Sequence, residues 1–371
     1  MRDLSVRLNP NYFISSHEPV GIDSRVNKII KLLTDDVCIV GLHGMAGCGK
    51  TTLAKALFNR LFRGFEKSCF LFNVKEMSKQ PNGRVRLQEE FVRCIFKAAQ
   101  FKQIDDVDQG MNMVKERLRG QRVLVVLDDV DQLEQLHELV EVRGWFGPGS
   151  VVIITTRNEH LLTQLQVNVK YLVAELSHAE SLELFSRHAF RDTYPIEDYA
   201  ELSNDVVSFC GGHPLALEIL GSYLFKRKKS KWESLIEKLQ EIPRYQIQQK
   251  LRISFGALDD DTVKDIFLDI ACFFVGMNKE YVERILDSVY GFDTEIAIKN
   301  LIERSLITID SKKEIRMHDL LRDMGREIVC EMSPGHPGNR SRICIHDDAL
   351  DVLHKKKVRT VCVCIVLYPK T

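Results

Sequence analysis

Long apolar runs, an excess of charge of either sign and cysteines at C-x-x-C spacing are all missing from this sequence of 371 residues. Its apolar runs are too short to cross a bilayer, and the start, MRDLSVRLNP, lacks the apolar core of a signal peptide. Lys and Arg total 52, as do Asp and Glu, so no global field draws the chain to nucleic acid or to an anionic membrane. The ten cysteines show no C-x-x-C spacing of a zinc site. We therefore expect a reducing compartment and cysteines that act as small buried hydrophobes.

Short apolar runs in the first half of the chain predict strands. Their solid rather than alternating apolar character is typical of strands covered on both faces, as in a parallel sheet. Residues at helical spacing, such as Leu87, Phe91 and Ile95, lie between them. The pattern predicts an α/β fold up to about residue 174. The predicted strands are Cys38 to Gly44, Cys69 to Val74, Val123 to Leu127, Val151 to Thr155 and Tyr171 to Ala174.

The second half predicts helices and then a hairpin. Residues 177–248 carry four helix-like segments, and one amphipathic helix is predicted from Val263 to Phe274. Two more helices follow, and the alternating runs Leu306 to Ile309 and Glu314 to Met317 then predict a β-hairpin. Three helices followed by a hairpin is the order of a winged-helix domain.

The strongest motif is GMAGCGKTT, which begins at Gly44 and satisfies G-x-x-x-x-G-K-[ST] between a predicted strand and a predicted helix. Its glycines let backbone N–H groups wrap around phosphate oxygens, and the helix N-terminus adds its positive dipole. Lys50 would supply charge to the β- and γ-phosphates and the Thr51 hydroxyl a magnesium position. We expect Lys50 to be exposed without nucleotide. The predicted loop contacts are Gly44, Gly47, Cys48, Gly49, Lys50, Thr51 and Thr52.

A second motif, Val123 to Asp129, is an apolar strand that ends in acid, as in a Walker B strand. Such a strand carries a carboxylate to the carboxyl edge of the sheet, near the magnesium. Asp128 would hold the metal through water, so Thr51 and Asp128 are the predicted metal residues. Asp129 would either orient the attacking water or tune the site. Asp128 and Asp129 are therefore the candidate catalytic residues.

Arg157 follows the next predicted strand in the triplet Thr155-Thr156-Arg157. An arginine there can reach a γ-phosphate and report whether it is present, although a surface arginine in a turn has the same sequence appearance. No N-K-x-D motif follows the Walker B strand, which disfavours a GTPase, and no kinase-type H-R-D or D-F-G set is found.

These motifs, in this order, resemble the NB-ARC module of plant nucleotide-binding leucine-rich-repeat (NLR) receptors, in the class that usually begins with a TIR domain. The resemblance runs from about Val20 to about Leu353. It implies ADP or ATP with Mg²⁺ as the cofactor. The other segments that carry it are Val20 to Arg25, Phe70 to Val74, Asp131 after Leu-Asp-Asp-Val, Gly211 to Leu217, Phe267 to Phe274 and Met317-His318-Asp319.

The resemblance adds further residues to the predicted nucleotide site: Val20, Gly21, Ile22, Pro214, Leu215 and His318. It implies that the Val20 segment faces adenine, that the proline lies near adenine and ribose, and that His318 reaches the β-phosphate of ADP. From the residues alone His318 is a polar residue at a hairpin exit. We expect Asp319 to cap the following helix and thereby to fix the direction of His318.

The sequence departs from the family at several points. Ala46 stands where the family often has glycine, and His213 where it usually has leucine. The segment Ile343-Cys344-Ile345-His346 replaces the family's usual Leu-Trp, and the tail from Lys355 to Thr371 matches no family feature. With neither a TIR domain before Val20 nor leucine-rich repeats, we expect a truncated chain or a fragment.

The expected fold is an α/β P-loop NTPase domain, a parallel sheet with helices on both faces, followed by a helical domain and a winged-helix domain. The predicted boundaries are 1–16 for an N-terminal extension, 17–174 for the P-loop nucleotide-binding domain, 175–249 for the helical (ARC1-like) domain, 250–347 for the winged-helix (ARC2-like) domain and 348–371 for a divergent tail.

The resemblance implies an ADP/ATP switch of plant innate immunity, closed with ADP, opened by ATP and reset by slow hydrolysis. It also implies association with other NLR chains or with itself on activation, and a cytoplasmic location with a nuclear pool. Two alternatives stay open: a steady-turnover ATPase, and a nucleic-acid-binding regulator that uses the winged helix. The second is disfavoured because the segment from Glu295 to Arg304 has balanced charge, Glu295 and Glu303 against Lys299 and Arg304.

Overall fold

In the computed structural model the chain divides into two units, Met1–Ala174 and Glu175–Thr371. The structure describes residues 19–96, 104–137, 139, 145–240, 242, 246–258, 260–344, 348–350 and 352. The predicted N-terminal extension, residues 1–16, and the tail from Lys355 to Thr371 lie outside the described residues.

A five-stranded parallel sheet forms the centre of the first unit, in the order β2-β3-β4-β1-β5. The chain leaves β1 towards the β2 edge of the sheet and leaves β4 in the opposite direction, towards β5. Connections that diverge from two neighbouring strands open a crevice between their carboxyl ends, here those of β1 and β4. The phosphate-loop motif begins directly after β1. The strands are β1 (Cys38–His43), β2 (Lys67–Leu71), β3 (Val123–Val130), β4 (Val151–Thr156) and β5 (Val169–Leu172).

Alternate residues of each central strand enter two separate apolar clusters. Along β3, for example, Val123 and Val125 lie in one cluster, and Leu124 and Val126 lie in the other. Since side chains of a strand alternate between the faces of the sheet, both faces are covered. This explains the continuous apolar runs in the sequence and confirms the predicted α/β fold with helices on both faces.

Helices of the first unit pack against these two faces. The face that contains Leu124 is covered by α1 (Ile22–Ile30) and α2 (Lys50–Leu61). The opposite face is covered by α4 (Gly83–Phe96) and α5 (Val107–Leu118). The shorter helices are α3 (Val74–Ser78), α6 (Leu133–His137) and α7 (Glu159–Gln164).

Two predicted strand positions are wrong. The prediction carried β2 as far as Val74, but Asn73 adopts a left-handed conformation with φ 50° and Val74 begins α3. The last strand was predicted from Tyr171 and instead spans Val169–Leu172, where half-buried and exposed residues alternate. That alternation is the pattern of an edge strand, which a search for solid apolar runs does not detect.

The described residues of the second unit form helices and a short antiparallel hairpin of β6 (Thr308–Ile309) and β7 (Ile315–Arg316). Its helices are α8 (His178–Ala189), α9 (Ala200–Cys210), α10 (Pro214–Leu224), α11 (Lys229–Gln240), α12 (Ile247–Gly256), α13 (Asp261–Asp269), α14 (Lys279–Tyr290), α15 (Glu295–Glu303) and α16 (Asp319–Glu331). The predicted single helix from Val263 to Phe274 is α13 followed by a π-helical segment, Ile270–Phe274. Helices followed by the hairpin confirm the predicted winged-helix order.

The described residues of this unit include two apolar clusters, and α10 contributes to both. Leu217 and Leu220 of α10 pack with α8, α9 and α11 around Trp232. Leu215 and Ile219 of the same helix pack with the winged-helix residues. Within the described residues, no helix is long and apolar enough to span a membrane.

Candidate functional site

The phosphate loop connects β1 to α2 through glycines in conformations that other residues adopt with strain. Gly49 is the residue before α2 and has φ 95°, in the left-handed region. Gly44 has φ 149°, and a Cβ built there would lie 2.9 Å from the carbonyl oxygen of Val173. The loop therefore depends on glycine at both positions, and the backbone N–H groups at the start of α2 point into the turn that it encloses.

Lys50 is folded back over the loop, so the expectation that its side chain is exposed is wrong. Its exposed fraction is 8%, and Nζ donates to the carbonyl oxygens of Gly44 at 2.8 Å and Met45 at 2.6 Å. The Sγ of Cys48 lies 3.8 Å from the same nitrogen. Burial lowers the pKa of Lys50 from the usual lysine range. The ammonium thus compensates for its lost hydration with hydrogen bonds to loop carbonyls.

Asp128 joins the Walker B strand to the phosphate loop. Its Oδ1 accepts hydrogen bonds from the Thr51 hydroxyl at 2.9 Å and the Thr155 hydroxyl at 2.7 Å. The pairing of β3 with β4 shifts register between Leu127 and Val130, a bulge-like irregularity that contains this residue. Sequence reasoning named Thr155 only as part of a triplet, and the structure adds it to the site as a second hydroxyl on the carboxylate.

Burial and two hydrogen bonds act on the pKa of this carboxylate in opposite directions. Asp128 is 2% exposed, and desolvation raises its pKa above the usual aspartate range, while the bonds from Thr155 and Thr51 act in the opposite direction. A hydroxyl and a carboxylate oxygen are the hard oxygen donors that Mg²⁺ takes, usually with retained waters. The chemistry of Thr51 and Asp128 therefore fits the magnesium ion that the sequence predicts.

Asp129 and Arg157 contact each other at the same edge of the sheet. Asp129 has φ 56°, and its N–H donates to the Thr155 hydroxyl at 2.8 Å. Its Oδ1 lies 3.6 Å from Nε of Arg157, whose side chain is 33% exposed. An arginine held by a carboxylate can exchange that partner for a phosphate, because both present paired oxygens to the guanidinium.

The other predicted residues of the first unit lie around this loop and at the start of α1. Val20 is buried, Gly21 has φ 67° directly before α1, and Ile22 packs against the apolar cluster that includes Leu53. The carbonyl of Gly21 accepts from Nη1 of Arg25 at 2.9 Å. Within the loop motif Cys48 is buried and Thr52 is exposed.

Pro214 and Leu215 belong to the second unit, at the start of α10. Pro214 occupies the first turn of the helix, and Leu215 is buried in the winged-helix cluster. His213 precedes them and is 2% exposed, and its Nδ1 accepts from the N–H of Ala216 at 3.4 Å. The histidine that replaces the family's leucine therefore caps α10, which a leucine side chain does not do.

His318, and not Asp319, caps the helix after the hairpin, so the predicted capping role of Asp319 is wrong. Nδ1 of His318 accepts from the N–H of Leu320 at 3.1 Å. Asp319 is instead in the first turn of α16, with Oδ1 3.2 Å from Nη2 of Arg322. Because Nδ1 accepts, the proton of a neutral His318 ring is assigned to Nε2, which makes that nitrogen a donor suited to a phosphate oxygen.

Comparison with known proteins agrees with this geometry. The NB-ARC domain matches residues 22–194, and the Disease resistance protein Roq1-like winged-helix domain matches residues 260–333. The chain is 43% identical over 349 residues to Disease resistance protein RUN1 of Vitis rotundifolia, which covers 92% of this chain and 26% of the relative. It is 36% identical over 344 residues to TMV resistance protein N of Nicotiana glutinosa, with coverages of 90% and 29%. The chain thus spans about a quarter of the length of these curated relatives.

Among solved structures, a Signal Transduction ATPase with Numerous Domains (STAND) protein with a tetratricopeptide repeat sensor, from Pyrococcus horikoshii, matches with a TM-score of 0.50. The identity is 16%, and the match covers 95% of this chain and 47% of that chain. At this identity the match bears on the fold alone.

A parallel sheet of this order, with a glycine loop and lysine after β1 and a buried acid on β3, defines the P-loop NTPase class. Within that class the chain carries an NB-ARC domain at residues 22–194 and a Roq1-like winged-helix domain at residues 260–333. The resemblance predicted from the motifs is therefore confirmed, including the relation to plant disease resistance proteins of the TIR class.

Proposed function

We propose that this chain is the nucleotide-binding switch of a plant disease resistance protein, with ADP or ATP and Mg²⁺ bound at the loop from Gly44 to Thr52. ADP favours a closed form and ATP an open form, and slow hydrolysis of ATP resets the switch. The NB-ARC match supports a nucleotide as the ligand. The proposal includes the domain boundaries and the site residues that the sequence predicts.

The observation that carries the proposal is the hydrogen bond from the Thr51 hydroxyl to Oδ1 of Asp128 at 2.9 Å. It joins two segments 77 residues apart, the phosphate loop and the end of the Walker B strand. In a P-loop site these groups belong to one magnesium ion, the hydroxyl as a ligand and the carboxylate behind it. When bound, Mg²⁺ would neutralise charge on the β- and γ-phosphates, and Thr51 and Asp128 would hold it.

A switch requires residues that contact the nucleotide differently in its two forms, because a ligand moves an equilibrium only by its differential affinity. Arg157 is the proposed γ-phosphate sensor, since it would leave Asp129 for phosphate oxygens. His318 is the proposed β-phosphate sensor in the ADP form, through the Nε2 donor that its cap geometry assigns. A differential of about 5.5 kcal/mol is enough to reverse a population from 1:99 to 99:1.

Asp128 and Asp129 carry the proposed hydrolysis. Asp128 would hold the magnesium, and Asp129 would orient the attacking water once Arg157 is drawn to the phosphate. Self-association, or association with other NLR chains, after exchange to ATP is also proposed. The cytoplasmic location with a nuclear pool stays a prediction.

Identification of the nucleotide released from the purified chain tests the proposal most directly. We expect stoichiometric ADP after denaturation, and slow turnover when ATP and Mg²⁺ are supplied to the exchanged protein. Rapid turnover with little retained nucleotide would favour a steady-turnover ATPase instead. Absence of any nucleotide, together with no calorimetric binding of ADP or ATP, would refute the nucleotide site itself.

A further inference from the structure

Asp131 follows the Walker B strand directly and carries part of the family resemblance, but the proposed switch gives it no role. Its backbone and its side chain both bond to Gln135 of α6. The N–H of Asp131 donates to Oε1 of Gln135 at 3.1 Å, and Nε2 of Gln135 donates to Oδ1 of Asp131 at 2.9 Å. The two residues therefore form a reciprocal pair of hydrogen bonds just beyond the end of β3.

The side chain of Gln135 is a buried amide whose donors and acceptors are all used. It is 4% exposed, and its Oε1 also accepts from the N–H of Gln132 at 3.3 Å. Its Nε2 also donates to the hydroxyl oxygen of Ser78 at 2.8 Å. Together with the two bonds to Asp131, these occupy both lone pairs and both hydrogens of the amide. A flipped amide would direct its N–H groups at two other N–H groups, so the orientation of Gln135 is fixed.

The same bonds tie the end of β3 to α3, the short helix that follows β2. The Ser78 hydroxyl, at the end of α3, accepts from Gln135 and donates to the Lys75 carbonyl at 2.9 Å. Nζ of Lys75 lies 3.8 Å from Oδ2 of Asp131. The segment from Phe70 to Val74, which also carries the family resemblance, ends at the first residue of this helix. The network therefore joins two of the resemblance segments, one after β2 and one after β3.

The backbone that this network holds contains the two candidate catalytic carboxylates. Asp129 has φ 56°, a left-handed conformation that a residue with a side chain keeps only where its surroundings enforce it. Its N–H donates to the Thr155 hydroxyl at 2.8 Å, and the N–H of Asp131, two residues later, donates to Gln135. The irregular part of β3, between Leu127 and Val130, is thus fixed by side-chain acceptors on α6 and on β4.

We propose that Asp131 and Gln135 are positioning residues of the nucleotide site, which hold Asp129 in the conformation that acts on ATP. Their bonds are to protein groups, so they act through the backbone of Asp129. The inference rests on the proposed function, because it requires ATP and Mg²⁺ at Asp128 and Asp129. It predicts a defect in ATP turnover with little change in ADP binding, since the phosphate loop holds the diphosphate and is not part of the network.

Gln135→Glu tests this proposal, because it keeps the shape of the side chain and replaces the donor group with a carboxylate oxygen. That oxygen would meet the Asp131 carboxylate, and the repulsion should displace the turn that contains Asp129. We expect the single-turnover rate of ATP hydrolysis by the full chain to fall roughly 10- to 100-fold, because a displacement of about 1 Å at a reacting group has effects of this size. The Kd for ADP with Mg²⁺, measured by calorimetry, should stay close to the wild-type value.

A double variant and a matched control separate the hydrogen bonds from the added charge. Asp131→Asn combined with Gln135→Glu moves the donor to the other partner and leaves the net charge as in wild type, so it should recover most of the rate. Asp131→Asn alone keeps Oδ1 as an acceptor and should turn over ATP at close to the wild-type rate. Gln132→Glu is the control, because Gln132 is exposed and its backbone N–H bonds to Gln135. It adds the same charge nearby and should match wild type.

Thermal melts distinguish a positioning role from a purely structural one. Parallel losses of ADP affinity, turnover and melting temperature in Gln135→Glu would show a structural role and overturn the proposal, as would a wild-type rate in that variant or an equal loss in Gln132→Glu. If wild type bound ATP without measurable turnover, the Mg²⁺ concentration for half-maximal ATP binding would decide, and it should be higher in Gln135→Glu than in Gln132→Glu. Failure of wild type to bind any nucleotide would refute the proposed function, and this inference with it.

Discussion

Replacement of Lys50 by methionine separates the role of its ammonium group in binding from its role in the fold. Lys50→Met keeps most of the apolar stem and removes the two bonds to the carbonyls of Gly44 and Met45. A hydrogen bond with a charged partner is worth about 1.5–3 kcal/mol. The bound form would lose such bonds to phosphate, and the free form loses the bonds to the loop.

Because losses occur in both states, the net loss of affinity corresponds to about one charged bond, or roughly a 10- to 150-fold rise in Kd for ADP. The melting temperature of the nucleotide-free protein should change little, since the lost bonds are offset by release of a buried ammonium whose pKa burial has lowered. Calorimetric titration with ADP and Mg²⁺, and thermal melts without nucleotide, measure the two effects.

Arg60→Met is the matched control, because Arg60 is an exposed cation in the last turn of the same helix. It should leave both Kd and melting temperature unchanged. An unchanged Kd in Lys50→Met would refute the phosphate site. A large fall in its melting temperature would instead show that Lys50 acts mainly as a structural clamp of the loop.

Three further outcomes are expected. Asp128→Asn keeps an oxygen for both threonine hydroxyls but removes the charge, so Mg²⁺-dependent ATP binding and hydrolysis should be lost. Because the pKa of Asp128 is raised in the folded state, its negative charge destabilises the fold at pH values above that pKa. Asp128→Asn should therefore melt at a higher temperature than wild type at high pH, and this difference should vanish as pH falls. A difference that persisted at low pH would refute this explanation. Asp319→Val should release ADP faster and enlarge the ATP-bound radius in small-angle scattering, but less than His318→Ala, which also removes the cap, worth about 1 kcal/mol. Wild-type ADP retention in both variants would rule out His318 as the β-phosphate sensor. ADP affinity in wild type should fall as pH rises through the lowered pKa of Lys50, and an equal fall in Lys50→Met would contradict that cause.

Much of the first unit could be predicted because local sequence and tertiary position agree there. A strand buried on both faces must be apolar throughout, and the loop that follows β1 must be rich in glycine. A short segment of sequence therefore predicts both the type of element and its position in the fold. The edge strand Val169–Leu172 did not follow this rule, because one side of an edge strand meets solvent and its apolar signal is weaker.

The errors at Lys50 and Asp319 have a different origin. Sequence pattern does not specify where a flexible ammonium goes when its ligand is absent, and the nearest loop carbonyls attract it. The cap of α16 could have been any acceptor near the turn, and the backbone placed His318 there, one residue before the aspartate. Thr155 was undervalued because a hydroxyl on a strand has no distinctive spacing.

The position of α10 in two apolar clusters has a mechanical consequence for the second unit. Leu215 and Ile219 anchor one side of this helix in the winged-helix cluster, while Leu217 and Leu220 anchor the other in the helical cluster. A displacement of the winged-helix region relative to the helical region would break apolar contacts on one side of α10. The two regions should therefore move together. A movement of the winged-helix region should therefore also move the start of α10, where His213 is the N-cap and Pro214 the first residue.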